Sequence, residues 1–242
     1  MRIPRLYTPA TLAVGEIIKL ETAVARRLLR VLRLRSGDAL VLFNGDGNDY
    51  PARLQVDGRD QARAEVFESG PNHSESPLHI TLLQGISRGE RMDYTLQKAV
   101  ELGVSAVYPV LCDRSVVRLE GQRAEKRQRH WHGVVTSACE QCGRSRLPEL
   151  HPVVPLGEVL HHPPPGQRVM PQPGSHQGLA SLEDSSQLVL LVGPEGGLSE
   201  AEIEQARAAL FQCIHLGPRI LRTETAGVAT LAALQALRGD LR

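Results

Sequence analysis

The chain has 242 residues, of which 41% are hydrophobic and 23% charged, with a net charge of +1. That length supplies ample core for one large or two modest domains, and no apolar run approaches the ~18 residues of a membrane span. Four cysteines exclude a disulfide framework, so a reducing, cytoplasmic setting is expected.

Taken from the start, the chain first gives a β-rich stretch with one helix. Ala23–Leu34 has helical periodicity, with Val24, Leu28, Val31 and Leu32 on one face. Leu40–Phe43 and Tyr50–Leu54 flank Asn44–Asp49, a hairpin signal, and Ala62–Phe67 alternates as a strand. Charge is concentrated here: residues 1–35 carry seven Arg and one Lys against Glu16 and Glu21. A basic surface suits an RNA backbone, and Arg2, Arg5, Arg26, Arg27 and Arg30 are the expected phosphate contacts. A merely solvated basic face is the bland alternative.

The breaker-rich stretch Ser69–Pro77 reads as a linker. Boundaries are drawn at 1–70 for the first domain, 71–77 for the linker and 78–242 for the second domain. Beyond the linker, strands and helices alternate: strand Leu78–Gln84, helix Arg91–Leu102 with Gly103 at its C′ position, strand Val104–Leu111, helix Gln122–Cys142 and the short strand Gln167–Met170. Strands Leu188–Val192 and Cys213–Leu216 follow, then an alanine-rich helix Ala226–Leu237. Such alternation implies a parallel sheet covered on both faces. Cys139-x-x-Cys142, with His130 and His132 upstream, resembles half of a redox or zinc site; no second CxxC completes it, and helical packing is the preferred reading, so no metal is expected.

Two glycine-bearing loops carry the chemistry. The first is Leu191-Val192-Gly193-Pro194-Glu195-Gly196-Gly197-Leu198, the second Leu216-Gly217-Pro218-Arg219-Ile220-Leu221-Arg222-Thr223-Glu224-Thr225-Ala226. Each follows a strand and precedes a helix, the arrangement of a ligand site at the C-terminal ends of parallel strands. Glu195, Glu200 and Glu202 would repel a pyrophosphate, and neither G-x-G-x-x-G nor a Lys-Ser/Thr ending occurs. A neutral or cationic ligand held by backbone groups fits better, with a side chain at Gly196 expected to enter its pocket. An ordinary strand–helix turn would also account for the first loop, since Ser199 and Glu202 form a capping box that needs no ligand.

These two loops, with Met1-Arg2-Ile3-Pro4-Arg5, Ser87-Arg88-Gly89-Glu90, Gln97–Gly103 and Ala138–Arg144, resemble the RsmE family of bacterial 16S rRNA uridine-N3 methyltransferases, within the SPOUT class. The pattern departs from that family at Val169–Pro173, where a strand ending in His-Pro is usual. The resemblance implies an α/β fold: a C-terminal SPOUT α/β knot with a parallel sheet, plus an N-terminal PUA-like β-barrel. It implies S-adenosylmethionine as cofactor, 16S rRNA within the assembled small subunit as partner, and a homodimer whose sites are completed across the interface. Leu191, Gly193, Pro194, Glu195, Gly196, Gly197, Leu216, Gly217, Ile220, Leu221, Thr223, Thr225 and Ala226 would then surround the cofactor. Arg88, Arg219 and Arg222 would stabilise charge on the base, and Glu101 or Glu224 would be candidates to accept its proton. A tRNA-directed enzyme of the same class and a non-catalytic ribosome-associated RNA-binding protein stay open as alternatives.

Overall fold

The structure is a computed structural model that describes residues 3–117 and 119–241. The chain forms two compact units, Met1–Glu75 with Cys139–Leu147, and Ser76–Ala138 with Pro148–Arg242.

The first unit holds strands β1 (Arg5–Tyr7), β2 (Ile17–Lys19), β3 (Ala39–Phe43), β4 (Asn48–Gly58), β5 (Gln61–Val66) and β6 (Gly70–Pro71), with the short helix α1 (Thr22–Arg26). The sheet runs β1-β3-β4-β5-β2, and β6 pairs with β4. Strand β5 shows why: Ala62, Ala64 and Val66 are buried while Gln61, Arg63 and Glu65 face water. With Leu6, Leu40, Leu42, Ala52 and Leu54 they enclose one apolar core, closed by Ala25 and Leu28. The continuous helix expected over Ala23–Leu34 is shorter. After α1 the backbone widens into a π turn over Arg27–Val31, and Arg33 adopts φ +57°. Side-chain periodicity carries no signal of hydrogen-bond register, which is why the sequence does not betray this turn.

The second unit is a sheet ordered β10-β8-β7-β12-β11-β13. Its strands are β7 (His79–Gly85), β8 (Ala106–Leu111), β9 (Glu149–Leu150), β10 (Val154–Pro155), β11 (Gln167–Pro171), β12 (Gln187–Val192) and β13 (Gln212–Ile214). Every pairing is parallel, including that of β9 with β8. The helices are α2 (Glu90–Glu101), α3 (Gly121–Cys142), α4 (Leu156–His161), α5 (Glu200–Ala208) and α6 (Thr223–Arg238). Alternate residues of β12 go to opposite layers: Leu188, Leu190 and Val192 join one apolar cluster, Val189 and Leu191 the other. A strand buried on both faces must read as an unbroken apolar run, as this one does.

Strand β12 is laid between β7 and β11, although α2, β8, α3 and α4 come before it in the chain. The chain then steps across β11 to β13, and α6 returns to pack on α2 and β12. A late strand laid between earlier ones agrees with the α/β knot expected for the second domain. Gly227 packs against Gln84, Thr95 and Val192, where an added Cβ would sit at ordinary contact distances of 3.4–3.9 Å. At the far end of α6, Gln235 Nε2 donates to Leu102 O at 2.9 Å. Helix α6 begins three residues before the expected Ala226, so Thr223, Glu224 and Thr225 belong to its first turn.

Candidate active site

Three loops leave the sheet at the C-terminal ends of β11, β12 and β13 and meet around a cavity of about 1050 Å³. That is the size and position expected of a ligand site in a parallel sheet. Gly193–Gly197 forms one wall and His215–Ala226, apart from Thr225, another. The third wall is Pro171–Ser175, Arg91 of α2 also lines the cavity, and neither was anticipated from the sequence. The run Pro171-Gln172-Pro173-Gly174 directly after a strand is a loop signal of the same kind as the other two, and would have marked this wall.

The backbone of these loops is fixed by close packing. A Cβ on Gly85 would lie 2.5 Å from Pro194 N, so β7 can approach the first loop only as glycine. Gly197 and Gly217 have φ +70° and +88°, conformations that side chains resist. A Cβ on Gly196 would meet Arg114 Cβ at 2.9 Å and Arg114 O at 3.0 Å. The side chain expected to enter the pocket would therefore strike the loop behind it.

One hydroxyl ties the first loop to the last helix. Thr223 Oγ1 donates to Gly193 O at 2.6 Å and accepts from Gln84 Nε2 at 3.1 Å. On α5, Ser199 and Glu202 form the expected capping box, and Glu202 Oε1 also accepts from Asp113 N at 2.8 Å. The box thus braces the loop after β8 as well as its own helix.

Of the other predicted residues, Gly193–Gly197, Leu216, Gly217, Arg219–Thr223, Glu224 and Ala226 line the cavity. Leu191 lies in the apolar core and Thr225 is exposed on α6; neither lines it. The exposed Arg88 enters through its backbone N–H, which donates to Glu195 Oε1 at 2.9 Å. Glu101 is not brought to the site. It pairs with Lys98 at 2.8 Å, and eleven residues beyond Glu90 it sits about 16 Å along the axis of α2.

Electrostatics at the wall centre on Arg91. Its Nη1 bonds Glu195 Oε1 at 3.1 Å and its Nε lies 3.9 Å from Glu224 Oε1. Burial pushes the Glu195 carboxyl up, but hydrogen bonds from the backbone N–H groups of Arg88 and Glu195 and from Arg91 outweigh it and hold the group below its ordinary range. Glu195 and Glu224 each keep a buried Oε2 with no hydrogen-bond partner among the described residues. Both carboxylates line the cavity, where they suit a ligand that brings positive charge.

The Cys139–Cys142 pair has a different character. Burial pushes the Cys139 thiol up to about 12, and its Sγ donates to Arg146 O at 3.7 Å. No group of three or more side chains able to hold a metal occurs among the described residues.

In the first unit the expected RNA contacts have acidic partners. Arg5 Nη2 pairs with Asp49 at 2.7 Å and stacks over Phe43. Arg26 and Arg30 share Asp60, at 3.6 and 2.7 Å, and Arg27 pairs with Glu140 at 2.9 Å. Arg2 lies outside the described residues. The exposed Arg33, Arg35 and Arg59 form no ion pair among the described residues.

Comparison with known proteins settles the family. The model of the RNA methyltransferase domain family matches residues 74–235, and that of the RNA methyltransferase PUA domain matches residues 28–67. The chain belongs to the RNA methyltransferase family. Ribosomal RNA small subunit methyltransferase E of Buchnera aphidicola (Schizaphis graminum) is 34% identical to this methyltransferase, over 99% of this chain and 98% of the relative. The Bacillus subtilis protein of the same name is 32% identical over 88% and 89%. The crystal structure of such an enzyme from Neisseria gonorrhoeae, bound to S-adenosyl methionine, has a TM-score of 0.93 at 43% identity, covering 100% of each chain. A Legionella pneumophila methyltransferase in complex with the cofactor SAM has a TM-score of 0.95 at 34% identity, covering 99% of this methyltransferase and 100% of that chain.

Proposed function

We propose that the protein methylates N3 of a uridine in 16S rRNA of the small ribosomal subunit, with S-adenosylmethionine as donor. The observation that carries this reading is the three-loop cavity, whose wall carries the carboxylates of Glu195 and Glu224. When bound, S-adenosylmethionine supplies an electrophilic methyl group on a sulfonium. The backbone of Gly193–Gly197 and Leu216–Leu221 would hold its adenosine part, as glycines leave amides and carbonyls accessible there.

Uridine N3 bears a proton and is a weak nucleophile while neutral. Arg219 and Arg222, both exposed at the cavity, would stabilise negative charge spreading from N3 to O2 and O4. Glu224, at the cavity wall, would accept the N3 proton; Glu101 is too distant. N3 lies on the Watson–Crick edge, so the target must be unpaired when it reacts. The first unit would supply phosphate contacts through its arginines.

A homodimer completes the proposal. The second loop lines the cavity yet stands open, with Ile220 86% exposed, and Leu237 and Leu241 are each 50% exposed. A second copy covering these residues would close the site. Among the described residues no helix is long and apolar enough to cross a membrane, which is compatible with work on cytoplasmic ribosomes. The test is mass mapping of modified uridines in 16S rRNA from cells lacking the protein. Loss of one N3-methyluridine, restored by the wild type and not by Arg222→Ala, is expected; an unchanged modification map would refute the assignment.

A further inference from the structure

Arg91, Glu195 and Glu224 come from three different elements, helix α2, the loop after β12 and the first turn of α6. A single guanidinium reaches one oxygen of each carboxylate, at 3.1 and 3.9 Å. The second oxygen of each, Oε2, is buried and has no hydrogen-bond partner among the described residues. Both glutamates line the cavity. Two carboxylates share one guanidinium in this cluster, while Arg219 and Arg222 line the cavity from the second loop. The side chains of Glu195 and Glu224 stay 21% and 15% exposed at the cavity, so a positively charged ligand there gains from both carboxylates.

The proposed donor and its product differ in just that respect. A sulfonium carries a positive charge, and the thioether left after methyl transfer carries none. We infer that Glu195 and Glu224, held in place by the positioning residue Arg91, make the cavity prefer the charged methyl donor over its neutral thioether product. The preference would favour exchange of spent cofactor after each turnover. This inference rests on the cofactor assigned above.

Calorimetry on the full-length protein tests it, with S-adenosylmethionine and S-adenosylhomocysteine as probes. Glu224→Gln keeps the shape and removes the charge. It should weaken the sulfonium compound roughly tenfold, the scale of one charge-assisted interaction, and the thioether by less than about twofold. Arg91→Lys keeps the charge but cannot bridge two carboxylates, so the donor should weaken with the ratio falling part of the way. Thermal melts without ligand establish that each variant is folded. Equal loss for both compounds would overturn the inference in favour of a structural role. Unchanged affinities with lowered turnover would also overturn it, and would assign Glu224 to the RNA base alone. A wild type binding neither compound would bring down the proposed function as well, a result distinct from either of these.

Discussion

The bond network of Thr223 gives a prediction that separates architecture from ligand contact. Thr223→Val keeps the shape and removes the hydroxyl. Thr223 is 7% exposed and its partner Gln84 is fully buried. The variant takes the 2.6 Å donor from Gly193 O and the 3.1 Å acceptor from Gln84 Nε2. Gln84 Nε2 retains Gly85 O at 3.0 Å, so its loss is small. Gly193 O loses its donor outright, which costs about 1–3 kcal/mol. A total of about 2 kcal/mol corresponds to a drop of roughly 4–8 °C in Tm for a domain of this size. Calorimetric unfolding without cofactor measures it, and Thr223→Ser, which keeps the hydroxyl, should melt within about 2 °C of wild type. If Thr223→Val melts like wild type, the hydroxyl is not a structural tie and the reasoning fails. If it also binds cofactor more weakly at unchanged Tm, the hydroxyl serves the ligand instead.

Further outcomes are expected. Gly85→Ala should be far more damaging than Gly217→Ala: the first drives a Cβ to 2.5 Å from Pro194 N, whereas the second meets no atom within 4 Å and bears only the strain of φ +88°, about 1 kcal/mol; unfolding midpoints and cofactor affinity compare them. Neutralising Arg33, Arg35 and Arg59 together should flatten the salt dependence of RNA binding by a little under one unit per arginine, and more than neutralising the acid-paired Arg26, Arg27 and Arg30; filter binding across salt concentrations with the reverse order would discredit the placement of phosphate contacts. For Asp49, burial pushes the carboxyl up, but hydrogen bonds from Arg5, Ser145 and Asn72 outweigh it and lower its pKa on folding. Its contribution is therefore present above the unfolded-state pKa and lost as pH falls through the folded value. Denaturant titrations should show wild type losing stability in this acidic window and Asp49→Asn losing less.

Much of this was legible because local chemistry and tertiary placement agree. The apolar run Leu188–Val192 could only be a strand buried on both faces, and Ser199 with Glu202 could only open a helix. Gly103 at φ +77° ends α2 where the sequence places it. What escaped was long-range. The positive excess of residues 1–35 is a correct count, yet Asp49, Asp60 and Glu140 answer much of it, and their proximity is a product of folding. Glu101 sits within a motif but at the wrong end of its helix, a matter of distance along an axis. Thr223–Thr225 read as loop because the motif overshadowed the helix start. Arg91 was passed over because its partners, Glu195 and Glu224, are more than a hundred residues away.

The placement of β12 has a consequence for synthesis. It fills the middle of the sheet, pairing with β7 over six positions and with β11 on its other side, yet it is among the last strands to be made. While the nascent chain ends before Gln187, β7 and β11 each present an open parallel edge, and such edges recruit other chains. The strands on either side of β12 cannot be joined until Gln187–Val192 has been made. A premature stop ahead of Gln187 would remove both neighbours of β11 and bare the edge of β7, leaving a chain prone to aggregate rather than a smaller stable enzyme. Closure by a late, distant segment is also slow.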